Sequence, residues 1–121
     1  MTARVLVVGS GGREHALAWG LARSPSVGEV VSVPGNPGMA ALGECFAVDA
    51  ADPAAVSDLA DKIRPDLVVV GPEAPLVAGV VDALQARGHL AFGPVAAAAR
   101  LEGSKKWMKE VLAAAGVPTA A

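Results

Sequence analysis

Two short apolar runs constrain this chain more than any other feature: Val5-Leu6-Val7-Val8 and Leu67-Val68-Val69-Val70. Both are continuous rather than alternating and rich in β-branched residues, and each ends in a glycine, Gly9 and Gly71. A strand with one wet face alternates apolar and polar residues, whereas a strand apolar on both faces must be covered on both. The runs therefore predict central strands of a parallel sheet with helices on either side. Glu29 to Val33, ended by Pro34-Gly35-Asn36-Pro37-Gly38, is a third candidate strand. Cys45 to Val48 is a weaker fourth, and His89 to Phe92, ended by Gly93-Pro94, is a fifth.

Helical patterns lie between the strands. Glu14 to Arg23 carries Leu17, Ala18 and Leu21 on one face. Asp52 and Pro53 read as N-cap and first helical residue of a helix reaching Ile63, with Val56, Leu59, Ala60 and Ile63 on one stripe. Pro75 opens a helix from Leu76 to Arg87, closed by Gly88. This alternation predicts an α/β, Rossmann-like three-layer domain with a parallel sheet. Its 121 residues suffice for one domain. Aromatics are only 3 %, so Val, Leu, Ala and Ile must build the core. Val95 to Leu101 reads as a short helical stretch, and Lys105 to Ala115 as a helix closed by Gly116 ahead of Val117-Pro118-Thr119.

Several function classes are disfavoured. The net charge is −2, there is no Lys/Arg stripe, and aromatics are too scarce for base stacking, so no nucleic-acid partner is expected. The single cysteine, Cys45, cannot form an internal disulfide. With no signal-peptide pattern, the expected location is cytoplasmic. No apolar run approaches the roughly 20 residues that cross a bilayer, so no membrane span is expected.

Chemistry concentrates in the loops after the strands. Gly9-Ser10-Gly11-Gly12 joins the first strand to a helix opened by Arg13-Glu14-His15. Glycines allow a tight turn and close approach of an anion, the helix start offers unpaired N–H groups, and Arg13 can add a charged fork. A plain βα turn is the bland alternative. The dinucleotide pattern G-x-G-x-x-G needs a third glycine where this chain has Glu14, and the second strand ends in Val33-Pro34-Gly35-Asn36 without a carboxylate. Both departures point away from NAD and toward a smaller phosphate ester. A nucleotide P-loop is absent.

The second loop is Gly71-Pro72-Glu73-Ala74-Pro75-Leu76, where Glu73 sits at the sheet edge that binds ligands in open α/β folds. It can take a hydroxyl pair or an amine, or simply favour a helix start. Pro34 to Gly38 forms a third loop at the same edge and supplies Asn36. Glu102-Gly103-Ser104-Lys105-Lys106 reads by composition as a solvated helix start. His15 reads as structural and His89 as a surface residue, neither with metal-ligand spacing to Cys45 or an acidic cluster.

Taken together, these blocks resemble the N-terminal domain of the glycinamide ribonucleotide synthetase family. The matching stretches are Val7 to Leu17, Pro34-Gly35-Asn36, Val70 to Val77, Phe92-Gly93-Pro94, Ala98 to Lys105 and Val117 to Ala120, in collinear order across essentially the whole chain. Ser10 stands where many members have Asn, and Trp107 where Phe is usual. The resemblance implies a purine-pathway ligase of the ATP-grasp type. ATP phosphorylates glycine, and the amine of 5-phosphoribosylamine displaces phosphate to give glycinamide ribonucleotide.

Residues 1–103 would then be a substrate-binding domain, and 104–121 the start of a connection into an ATP-grasp domain beyond Ala121. The implied phosphoribosylamine site comprises Gly9, Gly11, Gly12, Arg13, Glu14, Asn36, Pro72, Glu73 and Pro75. Phosphate falls to the N–H groups around Gly11, Gly12 and Arg13. Ribose hydroxyls or the amine fall to Glu73, with Asn36 and Glu14 in support. Lys105 is implied to reach the ATP phosphates. ATP with Mg²⁺ or Mn²⁺ belongs to the full-length enzyme. No catalytic or metal-binding residue, bound cofactor or ligase turnover is expected on this chain alone. A stand-alone nucleotide- or sugar-phosphate-binding module is the alternative. An NAD-dependent oxidoreductase and another ATP-grasp ligase are weaker competitors.

Overall fold

The computed structural model describes residues 3–25, 27–71 and 77–92. The elements are β1 (Ala3–Gly9), α1 (Gly12–Ala22), β2 (Val27–Pro34), α2 (Pro37–Ala40), α3 (Pro53–Ile63), β3 (Leu67–Val70), α4 (Val77–Ala86) and β4 (Ala91–Phe92). The strands form one parallel sheet in the order β2-β1-β3-β4. From β1 the chain moves to one neighbour, β2, and then returns to the other side as β3. The carboxyl ends of β1 and β3 therefore flank a topological switch point, the place where open α/β sheets bind ligands.

Both predicted central strands are central, and Val5 to Val8 and Leu67 to Val70 are all buried. Alternation along β1 sends Val5 and Val7 to one face, against Leu17, Ala18 and Leu21 of α1. Leu6 and Val8 go to the other face, against Val56, Leu59 and Ala60 of α3 and Val80 and Leu84 of α4. The layers are helix, sheet, helices, as the continuous apolar runs require.

The start of α3 follows its sequence signals. Asp52 accepts from the Ala55 N–H at 3.1 Å, and Pro53 takes the first helical turn. Its end does not use glycine: Arg64 adopts the left-handed conformation with φ 50°. The α1 helix begins at Gly12, two residues before the expected Glu14, because Gly11 already serves as its N-cap.

Three expectations need correction. Cys45 to Val48 is not a strand. It touches β2 through one parallel bridge, Ser32 with Cys45, made by Ser32 N–H to Glu44 O at 2.9 Å and Phe46 N–H to Ser32 O at 3.0 Å. Past that point Val48 N–H turns back to Phe46 O, and both side chains pack on the α3 side of the core. The loop after β2 is not wholly irregular, since Pro37–Ala40 forms one helical turn capped by Asn36.

His89, read as a surface residue, is the third correction: its side chain is only 13 % exposed and is held by a partner. Gly88 turns the chain at φ 86° and brings His89 back to α3, where Nε2 lies 2.7 Å from Asp61 Oδ1. Arg87 donates to Asp58 and Asp61 at 2.7 and 2.8 Å. This cluster ties the turn before β4 to α3. The regions around Pro72 to Leu76 and from Gly93 onward, with the helices expected there and Lys105, lie outside the described residues.

Candidate functional site

The site is built where β1 and β3 end. Val8 O accepts from Gly71 N–H at 3.0 Å, which closes the ladder toward β3, while Gly9 O accepts from Gly35 N–H at 3.2 Å on the β2 side. Gly9 has φ 144°, open to glycine and strained for other residues. The chain then turns through Ser10 and Gly11 into α1. Gly11 is extended and offers no side-chain cap, and the first intrahelical bond of α1 is His15 N–H to Gly11 O at 3.0 Å. The N–H groups of Gly12, Arg13 and Glu14 thus have no acceptor within their helix, and the positive end of the helix dipole faces the turn. Arg13 is exposed beside it. A Cβ on Gly12 would meet nothing within 4 Å, so the approach to these N–H groups is open on that side among the described residues.

Glu14 is the unexpected element. It lies in the first turn of α1 and is only 5 % exposed. Its side chain folds over the ends of both central strands. A Cβ on Gly71 would stand 2.8 Å from Glu14 Cδ, and a Cβ on Gly9 would stand 2.7 Å from the same atom and collide with Oε1. In a dinucleotide fold the third glycine of the motif sits on the helix so that helix and strand can approach. Here the bulk is on the helix, and the glycines that make room are at the strand ends. The sequence carried this signal in the glycine closing each valine-rich strand.

Glu14 Oε2 is buried and has no hydrogen-bond partner among the described residues. A buried carboxylate oxygen left in that state costs free energy, about 1–3 kcal/mol for an unsatisfied polar group and more if charged. That oxygen lies at the switch point of the sheet, beside the N–H groups that open α1. Hydrogen-bond donors for an anion and an acceptor for an amine or hydroxyl therefore stand side by side.

Asn36 is close to the turn, and its side chain is engaged on both atoms. Oδ1 accepts from Met39 N–H at 2.9 Å as the cap of α2, and Nδ2 donates to Ser10 O at 2.9 Å. His15 is also tied in, with its ring over Gly38, where a Cβ would stand 2.7 Å from Nε2. Gly9, Gly11, Gly12, Arg13, Glu14 and Asn36 are thus brought together, whereas Pro72, Glu73 and Pro75 lie outside the described residues. A separate cleft of about 400 Å³ lies beneath the amino edge of the sheet, lined by Arg4, Glu29, Arg64 and Asp66. Arg4 there is committed to Glu29 at 2.6 Å and to the Ile63 carbonyl. It is remote from the turn. Among the described residues no group of three or more His, Cys, Asp or Glu could hold a metal ion, and no helix is long and apolar enough to cross a membrane.

Residues 3–102 match the family described as phosphoribosylglycinamide synthetase, N domain. The chain belongs to this family. It is 54 % identical over 119 residues to the phosphoribosylamine–glycine ligase of Corynebacterium ammoniagenes, covering 97 % of this chain and 28 % of that protein. It is 56 % identical over 117 residues to the enzyme of that name from Streptomyces coelicolor, with the same coverage. The chain therefore spans about 28 % of the length of these relatives. The crystal structure of phosphoribosylamine–glycine ligase from Thermotoga maritima is 32 % identical with a TM-score of 0.49, covering 98 % of this chain and 26 % of that one.

Proposed function

We propose that the carboxyl edge of this domain is one wall of a phosphoribosylamine site in a ligase that joins glycine to 5-phosphoribosylamine. The observation that carries the reading is Glu14, a buried carboxylate with an oxygen that has no partner among the described residues, set beside the N–H groups that open α1. A sugar phosphate bearing an amine presents the two complements: an anion for the helix start and a donor for the carboxylate.

In this reading the phosphate rests on the N–H groups of Gly11, Gly12 and Arg13 with the Arg13 guanidinium alongside, while Glu14 and Glu73 hold the amine or the ribose hydroxyls. Glycine is activated by transfer of the ATP γ-phosphoryl group to its carboxylate, releasing ADP. The amine of phosphoribosylamine attacks the resulting acyl carbon, forms the amide bond and expels phosphate. The domain's contribution is to hold that amine and keep it oriented. ATP and its divalent metal belong with the larger remainder of the enzyme, and Lys105 of this chain reaches the ATP phosphates. Among the described residues no group of three or more His, Cys, Asp or Glu could hold that metal.

Titration of the chain with ribose 5-phosphate tests the anion site, with saturation in the millimolar range expected. In the full-length ligase, Arg13→Ala removes a charge-assisted contact worth about 1.5–3 kcal/mol, so the KM for phosphoribosylamine should rise by about one to two orders of magnitude. No binding by the folded chain, or an unchanged KM in Arg13→Ala, overturns the assignment.

A further inference from the structure

The loop after β2 holds the glycine turn at three points. Gly35 N–H donates to Gly9 O at 3.2 Å, Asn36 Nδ2 donates to Ser10 O at 2.9 Å, and the His15 ring lies over Gly38. The first two contacts have a directional consequence. Across a planar trans peptide the C=O of one residue and the N–H of the next point in opposite directions. The carbonyls of Gly9 and Ser10 both point at the loop, so the N–H groups of Ser10 and Gly11 both point away from it. In a continuing strand successive carbonyls alternate sides, as Val8 O toward Gly71 and Gly9 O toward Gly35 still do. The Asn36 amide breaks that alternation at Ser10.

We infer that Asn36 and His15 are positioning residues of the anion turn: Asn36 sets the direction of the Gly11 N–H by holding the Ser10 carbonyl, and His15 seats the loop that carries Asn36. This role rests on the reading of the turn as a phosphate site. It differs from direct substrate contact by Asn36, whose oxygen caps α2 and whose nitrogen is already donating. His15 lies one turn into α1 and Gly38 is the second residue of α2, so their contact fixes the two elements against each other without touching the anion. The absence of a Cβ at Gly38 is what lets the ring lie there, since a methyl would stand 2.7 and 2.8 Å from the two ring nitrogens.

The substitutions separate holding from folding. Asn36→Ser keeps a capping oxygen for α2 but removes the amide donor to Ser10. Gly38→Ala pushes the His15 ring off its seat, and His15→Ala makes room for that methyl. The readouts are the amide resonances of Ser10, Gly11 and Gly12 in the ligand-free 121-residue chain and its affinity for ribose 5-phosphate. Asn36→Ser is expected to shift the Gly11 resonance and weaken ribose 5-phosphate about five- to tenfold, the value of one hydrogen bond, with a melting temperature near that of the parent. Gly38→Ala should shift the same resonances, and the double substitution with His15→Ala should move them back toward the parent positions.

Unmoved resonances in both Asn36→Ser and Gly38→Ala overturn the positioning role, whatever the ligand does. Resonances that move as expected while the parent chain takes up no ribose 5-phosphate at millimolar concentration overturn the phosphate reading instead, and with it the substrate role of the clamp. A weakened affinity without any amide shift assigns Asn36 to direct contact and overturns the inference.

Discussion

The carboxylate of Glu14 and the α-carbon of Gly71 meet at the junction of helix and sheet, so closely that a methyl on Gly71 would lie 2.8 Å from Glu14 Cδ. One residue belongs to the first turn of α1 and the other follows β3, and they are brought together because α1 starts directly above the end of β1. Gly71→Ala should therefore act through Glu14. Overpacking of this kind costs about 1–3 kcal/mol. The cost should largely disappear in a Glu14→Ala background, where the methyl has room. Urea unfolding of the two single variants and the double variant measures the coupling. Equal losses for Gly71→Ala in both backgrounds would show that the contact carries no energy.

Glu14→Met separates stability from binding. The parent leaves Oε2 buried and unpartnered among the described residues, a penalty of about 1–3 kcal/mol. Against it stands the favourable placement of an acid at a helix N-terminus, about 0.3–1 kcal/mol. Methionine keeps similar bulk and removes both terms. The net expectation is a stability gain of about 1 kcal/mol together with loss of ribose 5-phosphate binding. A variant that is less stable than its parent, by denaturant midpoint, would mean that the carboxylate is already satisfied.

The fold was legible because Val5 to Val8 and Leu67 to Val70 admit little but double-sided burial, and because Asp52-Pro53 is an unambiguous helix start. Gly9, Gly11, Gly12, Arg13 and Asn36 were legible as a loop cluster, since each lies in a Gly- or Pro-rich segment following a strand. The depth of Glu14 was not. An acid in the first turn of a helix is usually solvated, and its burial depends on Gly9 and Gly71, residues 62 positions apart that become neighbours only when β1 pairs with β3. The roles of His15 and His89 were hidden for the same reason. Their partners, Gly38 and Asp61, are set by how α2 and α3 pack, which no local pattern encodes.

Gly12 offers a cleaner test of close approach than Gly9, where any substitution is strained. Nothing lies within 4 Å of where a Cβ on Gly12 would stand. Alanine is also the better helix former, by up to about 1 kcal/mol and less at a terminus. Gly12→Ala should thus leave the unfolding midpoint unchanged or slightly higher. If the glycine is there so that an anion can approach the backbone, the same variant should bind ribose 5-phosphate at least several-fold more weakly. Calorimetry showing parental affinity would assign Gly12 to turn formation alone.

The Asp61 cluster gives a pH prediction whose sign follows from its partners. The hydrogen bond from His89, and then that from Arg87, hold the Asp61 carboxyl below the ordinary aspartate value. A group whose value is depressed on folding binds fewer protons in the native state. Its stabilisation is therefore present at neutral pH, begins to fade near the unfolded value of about 3.9, and is lost as pH falls through the folded value. Both partners are surface-accessible, with Asp61 and Arg87 side chains 48 % and 38 % exposed, so the contribution is modest and salt weakens it. Asp61→Asn should lower stability at neutral pH and converge with the parent in acid. Stability measured by urea unfolding between about pH 7 and pH 2, at low and high salt, tests this directly. A difference between the two proteins that stays constant down to the acid limit would remove Asp61 ionisation from the account of how the turn before β4 is fastened to α3.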